Sequence, residues 1–217
     1  MFWGKWIVAV SLLCSGPSID EVLGGSERLG PAKRAIDRLQ SRSAVPLAVE
    51  WNPAAGTPSL LAGSLTEPSY HTPQWIAIEF LKRVKPLYGL KRVEEQMAVV
   101  RVERDRPDYT KVVLQRRLYG KPVCGDELTV EVDHAGVVTR ASGTIHADLE
   151  KKRLNRPMVP AVTEQQAAAA ASRYLKGKYP VATADVRACY LPDRESIPLV
   201  YTVSFASAAN GKASPSV

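Results

Sequence analysis

Lys111–Gly143, KVVLQRRLYGKPVCGDELTVEVDHAGVVTRASG, reads as three short β runs separated by two turn signals. Val112, Leu114 and Leu118 alternate with polar neighbours, Tyr119-Gly120-Lys121-Pro122 breaks the run, and Leu128, Val130 and Val132 alternate again. Asp133-His134-Ala135-Gly136 then turns the chain into Val137 and Val138. Successive side chains of a strand point to opposite faces, so this stretch predicts an antiparallel meander with one buried face. Both turns are read first as hairpin chemistry, with the Asp133 carboxylate capping backbone N–H groups.

Working outward, Val45–Trp51 is expected to be a strand, and Pro53–Pro73 a Gly-, Ser-, Thr- and Pro-rich connection containing the apolar run Ser59–Leu65. Thr72 caps a helix with Pro73 at its first position. Ile76, Phe80, Val84 and Leu87 form its apolar stripe, and Gly89 ends it. Further strands are expected at Met97–Glu103, Lys111–Leu118, Glu127–Val132 and Val137–Ser142. Charge and proline around 151–160 read as a linker. Beyond it, Thr163 and Gln166 make a capping box for the alanine-rich helix Ala167–Leu175, which Gly177 ends. Strands at Val186–Leu191 and Leu199–Phe205 flank the turn Pro192-Asp193-Arg194-Glu195. Leu199, Tyr201, Val203 and Phe205 share one face, for which the alanine helix is the obvious cover. Glu27–Arg42 has helical spacing and suits a short helix or a lead-in. The fold class is therefore α+β, with two small domains at 26–150 and 161–217, each a helix packed on an antiparallel β-sheet.

The 217 residues, 45% of them hydrophobic, suffice for one large core or two small ones and exclude a disordered chain. The strongly apolar stretch Trp6–Cys14, preceded by Lys5, is too short to span a bilayer but suits the core of a signal peptide over residues 1–25, so export is expected. Two cysteines would then remain, Cys124 and Cys189, either as a disulfide or as two buried thiols. A net charge of +7 suggests an acidic partner or an anionic cell surface. Its densest groups, Lys151-Lys152-Arg153 with Arg156, and Arg116-Arg117, read as solvated faces. The denser of them lacks the interleaved aromatics of a nucleic-acid site, so no nucleic acid is expected.

His71, His134 and His146 are not spaced as two zinc ligands one helical turn apart with a neighbouring glutamate. Glu94-Glu95 and Asp126-Glu127 read as solvated charges, since strand neighbours diverge. No catalytic residue, cofactor or metal ligand is expected.

The phrase containing Tyr119, Gly120, Pro122, Val123 and Gly125, followed by Leu128, Val130, Asp133 and Gly136, resembles the propeptide of thermolysin-like (M4) metalloproteases. Trp51, Asn52, Gly56, Thr57 and Pro58 resemble the opening of the fungalysin/thermolysin propeptide (FTP) domain. Thr163–Phe205 is similar to the PepSY domain that follows it in those precursors. The resemblance implies an FTP-like domain over 26–150 and a PepSY-like domain over 161–217 that is incomplete, because the family's further strand is missing after Phe205. It also implies a large apolar residue at the position of Cys124, which favours packing over a disulfide. By the same token the chain would be secreted and non-catalytic, with a thermolysin-like metalloprotease as partner. It would inhibit the protease or assist its folding in trans, or be a precursor lacking its catalytic domain. The alternative is a free-standing extracellular module binding a peptide or envelope component; an enzyme is the weakest reading.

Overall fold

A computed structural model describes residues 17–43, 45–104, 106–151, 160, 162–175, 184–192 and 196–205. The apolar stretch Trp6–Cys14, most of the linker at 151–160, residues 193–195 of the last turn, Gly177 and the chain after Phe205 lie outside the described residues.

The meander is present and sits in the middle of the molecule. Strands β1 (Ala48–Asn52), β2 (Thr57–Ala62), β3 (Met97–Glu103), β4 (Tyr109–Leu118), β5 (Lys121–Asp133) and β6 (Val138–Gly143) form an antiparallel sheet in the order β1-β2-β6-β5-β4-β3. Register follows the sequence alternation: Val112 faces Val130 and Leu114 faces Leu128, and all four are fully buried. The loop between β5 and β6 closes as expected, with Asp133 Oδ1 accepting from the Ala135 and Val137 backbone amides at 2.9 and 2.8 Å. Gly136 is required there: its φ is +78°, and a Cβ would lie 1.9 Å from the Ser69 carbonyl oxygen.

Helices cover one face of this sheet. In α3 (Pro73–Val84), Thr72 accepts from the Trp75 amide, and Ile76, Ala77, Phe80, Leu81 and Val84 are buried across β4, β5 and β6. Burying each large side chain contributes roughly 1.5–3 kcal/mol, so this stripe fixes the helix position. The helix stops at Val84 rather than at Gly89. Leu87 still joins the core because the Leu87 and Leu90 amides turn back onto the Val84 and Lys85 carbonyls. Upstream, α1 (Ile19–Leu23) and α2 (Leu29–Arg42) complete the layer. Ser18 and Glu21 form a capping box on α1, Leu23 is only 2% exposed, and Ala32, Ala35 and Leu39 bury the inner stripe of α2. Thus Ile19–Leu23, within the segment expected to be a leader, packs in the main core. A short helix, α4 (Val93–Gln96), leads into β3.

The opposite face of the sheet is open and charged. Cross-strand neighbours Glu103, Lys111, Glu131 and Arg140 alternate in sign across β3, β4, β5 and β6, which keeps that face solvated without like-charge repulsion.

The second unit is smaller. Helix α5 (Glu164–Tyr174), with the expected Thr163–Gln166 capping box, lies on an antiparallel pair, β7 (Ala184–Tyr190) and β8 (Leu199–Phe205). Its own core is Ala171, Val203 and Phe205, so the alanine helix covers the face it was expected to cover. Among the described residues, unit is joined to unit by one parallel pairing, Val123 with Tyr190, and by a cluster of Leu118, Val123, Leu149, Tyr190, Ile197 and Leu199. A disulfide between Cys124 and Cys189 crosses the same junction. The packing reading of Cys124 is thereby corrected. β5 and β7 run side by side here, which brings Cα atoms 65 residues apart in sequence to 5.2 Å, inside the range a disulfide needs.

Candidate functional site

The β4–β5 hairpin is the structural centre of the junction. Tyr119 and Gly120 both have positive φ, 50° and 80°, the two-residue turn whose twist matches paired strands. Gln115 Nε2 donates to the carbonyls of Val123 and Asp126 at 2.7 and 2.9 Å, pinning the first residues of β5. Against β7 this hairpin leaves a groove of about 320 Å3. The Cys124–Cys189 disulfide lines it together with Val100, Pro122, Arg117 and Arg187, and none of the residues lining it is acidic. Arg187 is held 2.8 Å from Asp185, both more than half exposed, whereas Arg117 pairs with no carboxylate among the described residues. At the hairpin tip Tyr119 is 57% exposed, set edge-on to the buried Tyr190. Burial raises the Tyr190 phenol's pKa, with the nearby Tyr119 adding to the shift, and keeps it neutral. Strand β3 borders this region as, among the described residues, a free edge of the sheet, with Val99 and Val100 outward. The groove can therefore take an extended segment of acidic and apolar character, with the outer edge of β3 beside it for backbone pairing.

The residues singled out from sequence fall into separate places. Gly120, Pro122, Val123 and Gly125 line the groove and Tyr119 stands beside it. Leu128 and Val130 are core residues, and Asp133 and Gly136 form the turn at the other end of β5. The other phrase builds the β1–β2 hairpin. Trp51 and Asn52 pair with Pro58 and Thr57, and Asn52 Oδ1 accepts from the Ala54 and Ala55 amides. Gly56 takes the left-handed position, and the buried Thr57 hydroxyl donates to the Ile145 carbonyl at 2.7 Å. This second group is scaffold.

A buried polar network was not anticipated. Arg116 and Asp126, read from sequence as solvated, are both fully buried. The reason is parity: Arg116 lies in step with the inward-facing Val112, Leu114 and Leu118, and Asp126 with Leu128, Val130 and Val132. Each charge is matched by the strap that follows β6. His146 donates its backbone N–H to Asp126 Oδ2 at 2.9 Å, and its ring Nδ1 lies 2.6 Å from Oδ1. Arg116 donates to the His146 carbonyl and, at 3.0 Å, to Glu150, which also accepts from Gln96. Arg28 extends the network, 2.7 Å from Asp148 and donating to the Gly56 carbonyl at 2.9 Å. Burial lowers the Arg28 pKa from its ordinary value; Asp148 opposes the shift and the nearby Arg116 adds to it. An inward-parity charge on a strand was the available signal, and it marks the strap that ties α2, α4 and the sheet together. His71 and His134 are exposed, His71 stacking on Trp75 at 4.0 Å. Among the described residues no three His, Cys, Asp or Glu side chains converge as metal ligands, and no helix is long and apolar enough to cross a membrane.

No protein-family model matches the chain. Its similarity to a curated protein nonetheless links it distantly to the thermolysin-like proteases. That protein is bacillolysin of Bacillus cereus, 28% identical over 106 residues, which make up 48% of this chain and 19% of bacillolysin. The chain thus spans about a fifth of the relative it matches.

Proposed function

We propose that this chain is a secreted, non-catalytic propeptide-like protein of the thermolysin-type metalloproteases, one that binds such a protease in trans as inhibitor or folding helper, or serves as the propeptide segment of a precursor. The observation that carries this reading is the similarity to a limited part of bacillolysin, whose remaining length has no counterpart in the match. A fold with a free strand edge beside a cationic groove suits a protein that works by covering another surface. The disulfide suits an exported protein, because such bonds persist in oxidising compartments. Binding would bring an acidic, extended segment of the protease into the groove and block access to its cleft without any bond being made or broken.

Titration of bacillolysin peptidase activity with the purified, oxidised protein tests this. Stoichiometric inhibition is expected, weakened but not abolished at high salt, because the arginine contacts are screened while apolar contact and backbone pairing are screened far less. No inhibition and no gain in refolding yield, with a folded protein, would refute the role in trans. A second reading, a free-standing extracellular binding module, is favoured by the arginines around the groove. Salt-sensitive binding to cell envelopes without protease binding would select it.

A further inference from the structure

A second cavity, of about 390 Å3, opens between α2 and α3 and shares no residue with the groove above. Its floor is apolar: Ala35 and Leu39 come from α2, Val84 from α3 and Leu65 from the connection between β2 and α3, and all four are buried. Its rim is cationic. Arg38 and Arg42 stand on α2 and Arg83 on α3, facing a single acidic lining residue, Glu67. Arg34, Arg38 and Arg42 follow one another at i, i+4 spacing, an arrangement in which like charges repel and weaken an exposed helix. Among the described residues none of these three, nor Arg83, forms an ion pair with a carboxylate. Arg42 and Arg83 each lie in the last turn of their helix, where a cation complements the terminal carbonyls. That role explains each alone, but not their convergence with Arg38 over one apolar floor.

We propose that this cleft binds an acidic peptide segment that carries an apolar side chain, the side chain entering over Leu39, Leu65 and Val84 and the flanking carboxylates meeting Arg38, Arg42 and Arg83. Charge complementarity selects the anionic partner. The recessed floor selects a peptide over a membrane, because a bilayer surface cannot reach residues buried beneath a charged rim. A small inorganic anion would leave the apolar floor unfilled. The inference is independent of the protease reading, since it concerns a different surface.

The test is calorimetric titration of the full chain, with 15N amide shifts to locate binding, using an N-acetylated, C-amidated peptide of one leucine flanked by glutamates. Binding with amide shifts centred on Leu39, Leu65 and Val84 is expected. Arg42→Gln with Arg83→Gln should weaken it about tenfold, while the lysine-flanked counterpart peptide should not bind. Both substitutions are at exposed positions, and an unchanged melting profile shows that the fold is retained. Four outcomes overturn the proposal: no binding, equal affinity of the variant, shifts centred on Arg117 and Arg187, or binding of anionic phospholipid vesicles in place of the peptide.

Discussion

The two units on either side of the β4–β5 hairpin solve the same problem, a helix on an antiparallel sheet, with very different means. The first buries an extended stripe from α2 and α3 against the sheet and adds a charge-matched strap at its end. The second has Ala171, Val203 and Phe205, a shared cluster at the junction, and a disulfide. A short two-stranded element with so little apolar surface is marginal by itself, so its stability must come from what it is tied to. The difference teaches that the groove depends on the weaker unit being held against the stronger one.

The largest expected effect tests that dependence. Replacing both cysteines, Cys124→Ser with Cys189→Ser, removes a crosslink spanning 65 residues, for which chain entropy predicts a loss of about 4 kcal/mol. The loss should be confined: hydrogen exchange should accelerate in β7 and β8 and stay slow in β4 and β5. Equal acceleration throughout would show that the two units are not unequal. Next comes Arg116→Ala, which leaves Glu150 without its buried partner. It should cost about 3 kcal/mol, at the low end for a broken buried pair because Glu150 keeps some exposure. Denaturant unfolding should register it in the first unit. Arg116→Met, of similar volume, should cost less.

Smaller effects sharpen the comparison. Thr163→Ala removes the cap of α5 and should cost about 1 kcal/mol, visible as faster exchange in α5 alone. Tyr88→Phe should be the mildest. The Tyr88 hydroxyl is fully buried with no hydrogen-bond partner among the described residues, so its removal should be neutral or stabilising by up to about 1 kcal/mol. Burial raises the Tyr88 pKa above its ordinary value. Above about pH 10 the unfolded chain therefore ionises this phenol while the folded one resists, and stability falls with rising pH. Melting curves from pH 9 upward should show a shallower alkaline decline for the variant.

Much of the architecture was legible because alternation and capping are local. Met97–Glu103 and Leu199–Phe205 have the same limits in sequence and structure, and the Thr72 and Thr163 caps sit where their hydroxyls precede the helices. What escaped was non-local. Arg116 and Asp126 read as surface charges because their partners, Glu150 and His146, lie 34 and 20 positions away on a strap with no pattern of its own. The choice between a disulfide and two buried thiols stayed open for the same reason: only the side-by-side path of β5 and β7 shows that Cys124 and Cys189 meet. Of the family-motif positions, Gly120, Pro122, Val123 and Gly125 line the groove, whereas the Trp51–Pro58 set builds a hairpin elsewhere. Sequence could not separate the two, since both phrases are turn chemistry between strands.

The most direct test of the central claim is hydrogen exchange of the full oxidised chain with and without bacillolysin. New protection is expected at Arg117–Gly125, at Arg187–Cys189 and along β3, and should be lost when the disulfide is reduced. Protection confined to the helical face, or none at protease concentrations that saturate any inhibition, would contradict it.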